Sequence, residues 1–558
     1  MTNCRFIDDY LDVIRADKIP VCEEQKQLLK FIEHVFKTED VYVDNEQAEK
    51  YFSYGKYFPY ALITWERFCF VLHNCTYRAD GELRFPILII YVGRGAGKNG
   101  YLAFEDFCLL TPTNGVKEYD IDIFATSEDQ AKASWNDVYN VLENNEKKMS
   151  AHFEWTKELI KNKRTNSEFR FNTSSYKTKD GRRPGKVDFD EYHAYQDAKL
   201  ISVGVTGLGK KPHPRRTIIT TDGENRDGIL DQLLEKCRKI LNFEIPDNGT
   251  LPFLCRLDSD EEIDNKEMWV KANPSLTPEY SNYTHLMREM EIEYSDYKEN
   301  PVVYADFATK RMNRPPTAKE GGIIDFDYIK ATAKEIPESD IYGLNCVAGI
   351  DYMKTNDFLG AGLLYKLNGQ FIFIHHTWVC TQSRDLKENR IKAPLREWEA
   401  AGHLTFIDGP EIPPEIPICW LLNEAEKRAS KIIKIGMDYY RFTYLQKALN
   451  NYGYFADKKD EYSNVKFVRP NDEMKSIPLI TSGFVNYLFN WGDDPVIRWA
   501  ANNSKIETRG VNMTYGKIEP KSRKTDTFKA FVAAYVVSDA LGEESTATTE
   551  IKISPIIC

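Results

Sequence analysis

The run "ILIIYVGRGAGKNGYLAF", Ile87–Phe104, constrains this chain more than any other segment. A β-branched and aromatic stretch enters a loop with Gly93, Gly95 and Gly97, and an apolar helical pattern leaves it. Backbone that turns sharply between a strand and a helix N-terminus aims its N–H groups at one point, which is how phosphate oxygens are cradled. Lys98, directly after Gly97, supplies a neutralising cation. Val92 stands where the general phosphate-loop pattern has its first glycine, and Asn99 replaces the Ser or Thr that usually meets magnesium. The plain alternative is a strand–helix turn that binds nothing.

A second motif, "GKVDFDEYHAY", ends an apolar-leaning run with Asp190 and Glu191. Asp190 would hold Mg2+, directly or through water, and Glu191 would orient and deprotonate the water that attacks ATP. Standing alone, the two would read as a surface acidic pair. "RTIITTDGE" is a further strand, closed by Thr220, Thr221 and Asp222, whose hydroxyls are placed to sense a γ-phosphate. Strand-like runs alternate with helical ones from about residue 60 to 315, which implies a mostly parallel sheet covered by helices. Residues 1–60 read as an acidic helical segment, with "EEQKQLLKFIEHVF" showing apolar residues at helical spacing.

At 558 residues the chain exceeds what one core supports, so two large domains are expected. No apolar stretch approaches the roughly 20 residues that span a bilayer. The N-terminus has no basic-then-apolar leader. The 11 cysteines form no CxxC pair, so zinc and a disulfide framework are not indicated and a reducing compartment fits. A net charge of −11 disfavours a generic nucleic-acid coat. Local basic runs still offer DNA contacts: 161–164, 181–186, 209–216 and 521–524. Each alone reads as a solvated loop.

"RPPTAKEGG" marks a linker, taken as 316–340. Beyond it, "NCVAGIDYM", "FLGAGLLYKL" and "QFIFIHHTWV" are strands joined by short turns, an antiparallel meander. A helical run broken at Pro394, the strands "KIIKIGMD" and "NVKFVRP" and the helix "TDTFKAFVAAYVVSDAL" follow, and residues 542–558 read as a mobile tail. Asp351 ends the first of these strands, Asp357 opens the next, Asp438 ends "KIIKIGMD" and Asp526 begins the last helix. Such carboxylates can converge on two Mg2+ ions about 4 Å apart and cut phosphodiesters. The alternative makes each a turn former or helix cap, most of all Asp526. His375 and His376 are not taken as metal ligands.

These motifs, in this order, resemble the large terminase subunit of tailed bacteriophages. The resemblance is carried by "GRGAGKNG", "DGRRPGKVDFDEYHAY", "RRTIITTDG", "WVKANPSL", "FATKRMNRP", "GIDYMKTNDF", "GMDYY", "RWAANN" and "KTDTFKAFVAAYV". It runs from about Trp65 to about Leu541, and "KANPSL…FATKRMN" is its most specific part because no general ATPase chemistry requires it. It implies an α/β chain with an N-terminal P-loop ATPase of the additional-strand type over 61–315, built on a parallel-rich sheet. It also implies a C-terminal RNase H-like nuclease with a mixed sheet over 341–541. By this resemblance ATP is held by Gly93, Arg94, Gly95, Ala96, Gly97, Lys98 and Asn99, with Asp190 on magnesium, Glu191 catalytic, and Thr220 and Thr221 coupling. The nuclease acids are Asp351, Asp438 and Asp526, with Asp357 assisting, on Mg2+ or Mn2+. Glu66 stands where many relatives carry an adenine-reading glutamine. The trans-acting arginine has no fixed place, with Arg182 and Arg183 as candidates.

The implied function is a viral motor that packages double-stranded DNA and cuts concatemers. Its implied partners are a portal protein and a small terminase subunit. It would work in the host cytoplasm, in a homo-oligomeric ring docked transiently on the procapsid. A cellular ATP-dependent nuclease or helicase of DNA repair is the chief alternative, and a catalytically decayed ATP-gated DNA clamp a third.

Overall fold

The protein is described from a computed structural model. It covers residues 2–547, apart from 173–182, 196–198, 224–225, 227, 302, 316–321, 353–357, 389, 392, 410, 457–462, 510–511 and 520–521. Asp357, Gly181 and Arg182 of the 181–186 basic run, and the tail from 548 onward lie outside the described residues. The chain forms two compact units, Met1–Pro316 and Thr317–Cys558.

In the first unit eight strands make one sheet: β1 (Ile87–Tyr91), β2 (Ile121–Phe124), β3 (Phe153–Trp155), β4 (Ile160–Asn162), β5 (Glu168–Asn172), β6 (Lys186–Asp190), β7 (Arg215–Thr220) and β8 (Thr250–Leu254). Their spatial order is β8-β1-β7-β6-β2-β5-β4-β3. The first six run parallel, and β4 and β3 add an antiparallel hairpin. β7 therefore lies between the strand that enters the glycine loop and the strand that ends at Asp190. That inserted strand defines the additional-strand class of P-loop ATPase.

Residues 1–60 are part of this unit's core. α1 (Arg5–Arg15) buries Phe6, Ile7, Tyr10, Leu11 and Ile14, and α2 (Glu23–Thr38) buries Leu28, Phe31, Ile32 and Val35. That helical spacing gives each helix one apolar stripe. Ahead of α2 and in its first turn, the Cys22 thiol and the Gln25 amide both donate to the Leu254 carbonyl, capping the end of edge strand β8. α3 (Asn45–Phe52) and α4 (Thr64–Asn74) complete the cover, and α5 (Lys98–Leu110) leaves the glycine loop.

The second unit carries β9 (Cys346–Asp351), β10 (Phe358–Leu367), β11 (Gln370–Cys380), β12 (Leu404–Ile407), β13 (Ile432–Asp438) and β14 (Val465–Val468), ordered β12-β11-β10-β9-β13-β14. β9, β10 and β11 form the expected antiparallel meander, and β13 and β14 join β9 in parallel. A meander whose first strand is followed sideways by two parallel strands is the RNase H-like topology. The run around Pro394 forms two short helices, Arg384–Lys387 and Leu395–Ala400, with Pro394 as the cap between them. α6 (Asp526–Val536) lies across β9, β10 and β13.

Three basic runs read as loops are partly interior. Lys186 and Arg215 are fully buried, and Lys524 pairs with Asp385 at 2.7 Å. Residues 542–547 are tied down: Ser545 N–H donates to the Lys366 carbonyl at 2.7 Å, and its hydroxyl accepts from Lys366 N–H.

Candidate active sites

The first site forms where β1, β6 and β7 end side by side. Val92 N–H still donates to the Thr220 carbonyl at 3.2 Å, so Val92 extends the strand and the loop proper starts at Gly93. Gly97 has φ 93°, the left-handed region that glycine enters without strain. A Cβ on Gly93 would collide with the Arg311 carbonyl. Lys98 is buried, and its ammonium donates to the Val92 carbonyl at 3.1 Å and the Gly93 carbonyl at 3.4 Å. Burial lowers its pKa to about 8, against the pull of Glu191 and Asp190, so it stays charged at neutral pH.

Asp190 is 2% exposed, and its Oδ1 has no hydrogen-bond partner among the described residues. Burial, then the charge of Glu191, lift its pKa to about 7. An orphaned carboxylate oxygen that needs charge compensation, beside a phosphate-type loop, fits a hard divalent cation. Glu191 has φ 49° and ψ 52°, left-handed for a residue with a side chain. Burial pushes its carboxyl up, but the His193 hydrogen bond, Lys98 and Arg94 outweigh burial and keep it below the ordinary range. Glu191 is therefore ionised and able to accept a proton. Thr220 and Thr221 are both buried, and their hydroxyls donate to the Thr221 and Asp222 carbonyls.

The "KANPSL" and "FATKRMN" segments clasp the glycine loop. Gly93 N–H donates to the Ala272 carbonyl and Arg94 N–H to the Lys310 carbonyl, each at 2.7 Å. In return the Arg94 carbonyl accepts from the Arg311 guanidinium at 2.9 Å and the Asn273 amide at 3.3 Å. Ser275 donates to the Ala96 carbonyl at 2.7 Å and accepts from the Trp65 indole at 3.0 Å. Glu66 lies at the same loop, its Oε1 3.2 Å from where a Cβ on Gly97 would sit, and burial pushes its carboxyl up to about 8.

Behind the loop lies a charge cluster that the sequence reading missed. Among the described residues, Glu105, Asp106 and Asp188 form the one group of three carboxylates with ligand atoms all within 4.8 Å of each other. The Lys186 ammonium fills it, at 2.8, 2.5 and 2.7 Å from the three. The cluster is thus an internal ion network joining α5 to β6. Burial would raise the Glu105 carboxyl, but Lys186 and His73 lower it to about 2. Burial raises both Asp106 and Asp188, against the pull of Lys186. The signal was present: residues 186, 188 and 190 put three charges on one face of a central strand.

The second site lies at one end of the RNase H-like sheet. Ile350 pairs with Met437 in the parallel register, so Asp351 and Asp438 follow side by side. Gly360 pairs with Asp351, and a Cβ on Gly360 would meet the Thr527 N–H and the Asp526 carbonyl at 2.7 and 2.8 Å. The first turn of α6 therefore sits on the Asp351 pair. Asp526 is a helical residue, with Thr525 in the cap position. It is buried, and Lys517 Nζ stands 3.7 Å from its Oδ2. Asp438 is exposed and Asp351 half-buried. The three acids come to one sheet end without closing within 4.8 Å of each other. His375 and His376 bond to the Trp491 carbonyl and the Thr405 hydroxyl.

An additional-strand P-loop unit followed by an RNase H-like unit defines a nucleotide-driven enzyme that also carries a nuclease. Comparison with known proteins agrees. Residues 67–239 match the family model "Terminase large subunit, ATPase domain" and residues 244–413 match "Terminase large subunit, endonuclease domain". Together the two matches span more than half of the chain, and the chain belongs to the terminase large subunit family. The endonuclease match starts inside the first unit and ends before Asp438 and Asp526, so the domain border is better taken from the fold. The terminase large subunit of Lactococcus phage SK1 is 23% identical over 77% of this chain and 78% of its own length. Protein YmfN of Escherichia coli (strain K12) is 23% identical over 58% of this chain and 70% of its own. The crystal structure of the HK97 bacteriophage large terminase aligns with 88% of this chain and 99% of its own, at 16% identity and a TM-score of 0.46. The chain is thus an enzyme with the ATPase and endonuclease domains of a DNA-packaging motor. Among the described residues no helix is long and apolar enough to cross a membrane.

Proposed function

We propose that the chain hydrolyses ATP at the 93–99 loop to drive double-stranded DNA into a capsid, and cuts concatemeric DNA with a two-metal centre at Asp351, Asp438 and Asp526. The observation that carries the ATPase half is the Oδ1 of buried Asp190, without a partner among the described residues, on the strand that ends beside the Lys98 loop. When bound, Mg2+ would neutralise phosphate charge. Asp190 would hold the ion, directly or through water. Lys98 would move from the loop carbonyls to the β- and γ-phosphates, and Glu191 would take the proton of the attacking water. A protonated Glu66 offers the base one donor and one acceptor, the pattern an amide would give. At the nuclease site the parallel neighbours Asp351 and Asp438 would face Asp526 across Mg2+ or Mn2+, with Asp357 assisting.

In this reading the chain acts as a homo-oligomeric ring on the portal protein of a procapsid, in the host cytoplasm, with DNA delivered by a small terminase subunit. Incubation of the purified full chain with ATP, Mg2+ and linear duplex DNA tests the two activities. Magnesium-dependent phosphate release together with duplex cleavage is expected. Cleavage without any ATP turnover would refute the motor reading, as would turnover with no cleavage for the nuclease.

A further inference from the structure

His193 has no role in the chemistry above, yet it stands between two groups that do. It follows Glu191 in a tight 3-10 turn, Tyr192–Ala194, at the end of β6. Its ring Nδ1 lies 3.1 Å from Glu191 Oε2 and 3.2 Å from Thr220 Oγ1. Its backbone N–H donates to the same Thr220 oxygen at 3.1 Å. The Thr220 hydroxyl spends its own hydrogen on the Thr221 carbonyl at 2.8 Å, so towards His193 it can only accept. Nδ1 thus faces two acceptors, a carboxylate and a hydroxyl oxygen, and the hydrogen-bond network assigns its proton to that nitrogen. On the far side, a Cβ on Gly223 would come 2.9 Å from His193 Cβ and 3.0 Å from Cδ2, so the ring is packed against the backbone just past the Thr220–Thr221 pair.

Glu191 needs such support. Its left-handed backbone is strained for a residue with a side chain and persists only where neighbours over-determine it. Thr220 ends the inserted strand β7, which pairs with both β1 and β6. One imidazole therefore hydrogen-bonds to Thr220 at the end of β7 and lies in ion-pair contact with Glu191 just past the end of β6.

Resting on the ATP-site reading above, we infer that His193 is a positioning residue: its Nδ1, bonded to Thr220 at the end of β7, holds the ring against the Glu191 carboxylate at 3.1 Å and so fixes the pose that orients the attacking water. Loss of the tie lets Glu191 swing while the phosphate loop, and hence nucleotide binding, is untouched.

The test uses the full chain, with steady-state phosphate release and binding of a fluorescent ATP analogue for His193→Ala, His193→Asn, His193→Gln and the control Glu191→Gln. The Asn amide places an N–H near the Nδ1 position, whereas Gln extends it towards Nε2. His193→Ala is expected to lower kcat by about 10²-fold, the cost of an approximately 1 Å misplacement, while KM and analogue affinity stay within about threefold. His193→Asn is expected to recover most of the loss and His193→Gln little of it. If the alanine variant does not fold, the Asn–Gln comparison alone decides. A His193→Ala enzyme at wild-type kcat beside a dead Glu191→Gln enzyme overturns the inference and leaves the ATP site standing. So do Asn and Gln variants of equal rate, or an alanine variant whose loss lies in KM. A Glu191→Gln enzyme with wild-type turnover instead removes the ATP-site reading itself.

Discussion

Lys186→Met is the most informative single perturbation of the ATPase unit away from its chemistry. The side chain is fully buried, of similar length to methionine, and its ammonium is the cation that three carboxylates share at 2.5–2.8 Å. Removing it leaves Glu105, Asp106 and Asp188 to repel each other without water. Breaking one partner from a buried ion pair costs about 3–5 kcal/mol, a large part of a typical domain's stability. The deficit should depend on pH with a definite sign. Without Lys186 the remaining carboxyls have folded-state pKa values raised above their unfolded ones by burial and by each other. The folded state then binds more protons than the unfolded one, and its stability falls as pH rises. Each extra proton is worth about 1.4 kcal/mol per pH unit, so moving from about pH 7.5 to about pH 5.5 should return about 2.7 kcal/mol. In the wild type Glu105 is held near 2 and adds nothing in that window, whereas burial already raises Asp106 to about 6, so the variant's pH dependence is read as the excess over the wild type's own. Urea unfolding, followed through the buried Trp65 and Trp269, measures both quantities. A variant within about 1 kcal/mol of wild type at pH 7.5, or one that loses further stability on acidification, would refute the argument.

Lys98→Ala should reduce ATP hydrolysis to background in a phosphate-release assay, since no other buried cation reaches the Val92 and Gly93 carbonyls among the described residues. Glu191→Gln should bind ATP normally but turn over at least about 10² more slowly, because the amide cannot accept a proton; single-turnover kinetics separates the two. Asp351→Ala, Asp438→Ala and Asp526→Ala should each abolish duplex cutting in a gel assay while ATPase activity stays within about twofold, since the acids lie in the second unit.

The parts of the fold that follow from local chemistry were legible in the sequence. The glycine loop, the β9–β11 meander and the break at Pro394 depend on residues close in the chain. Strand β8 was not legible, because Pro252 in "TLPFL" argues against a strand; the structure resolves this by placing β8 at the sheet edge, where a missing N–H is tolerated. Lys186 and Arg215 were grouped with basic loops because charge runs are usually solvated, whereas here tertiary partners bring them inside. The clasp on the phosphate loop shows the same limit. "KANPSL" and "FATKRMN" stood out as unexplained motifs, and their meaning lies in carbonyls that reach Gly93 and Arg94 from far along the chain. His193 was in view within "DEYHAY", but its hydrogen-bond partner Thr220 arrives only when β7 lies beside β6.

The seat of α6 has a consequence for how the second unit can change over time. A Cβ on Gly349 would strike the Ala530 carbonyl, one on Gly436 the Ala533 carbonyl, and one on Gly360 the Thr527 N–H. Three adjacent strands have thus given up side chains so that a helix can rest on bare backbone. The height of Asp526 over Asp351 and Asp438 is set by missing atoms rather than by any contact that a neighbour could retune. Most protein interfaces drift by exchanging one side chain for another of similar bulk. Here there is nothing smaller to exchange, and the smallest step, a single methyl group, lifts the helix from all three strands at once. A substitution at any of the three glycines therefore moves Asp526 relative to both Asp351 and Asp438.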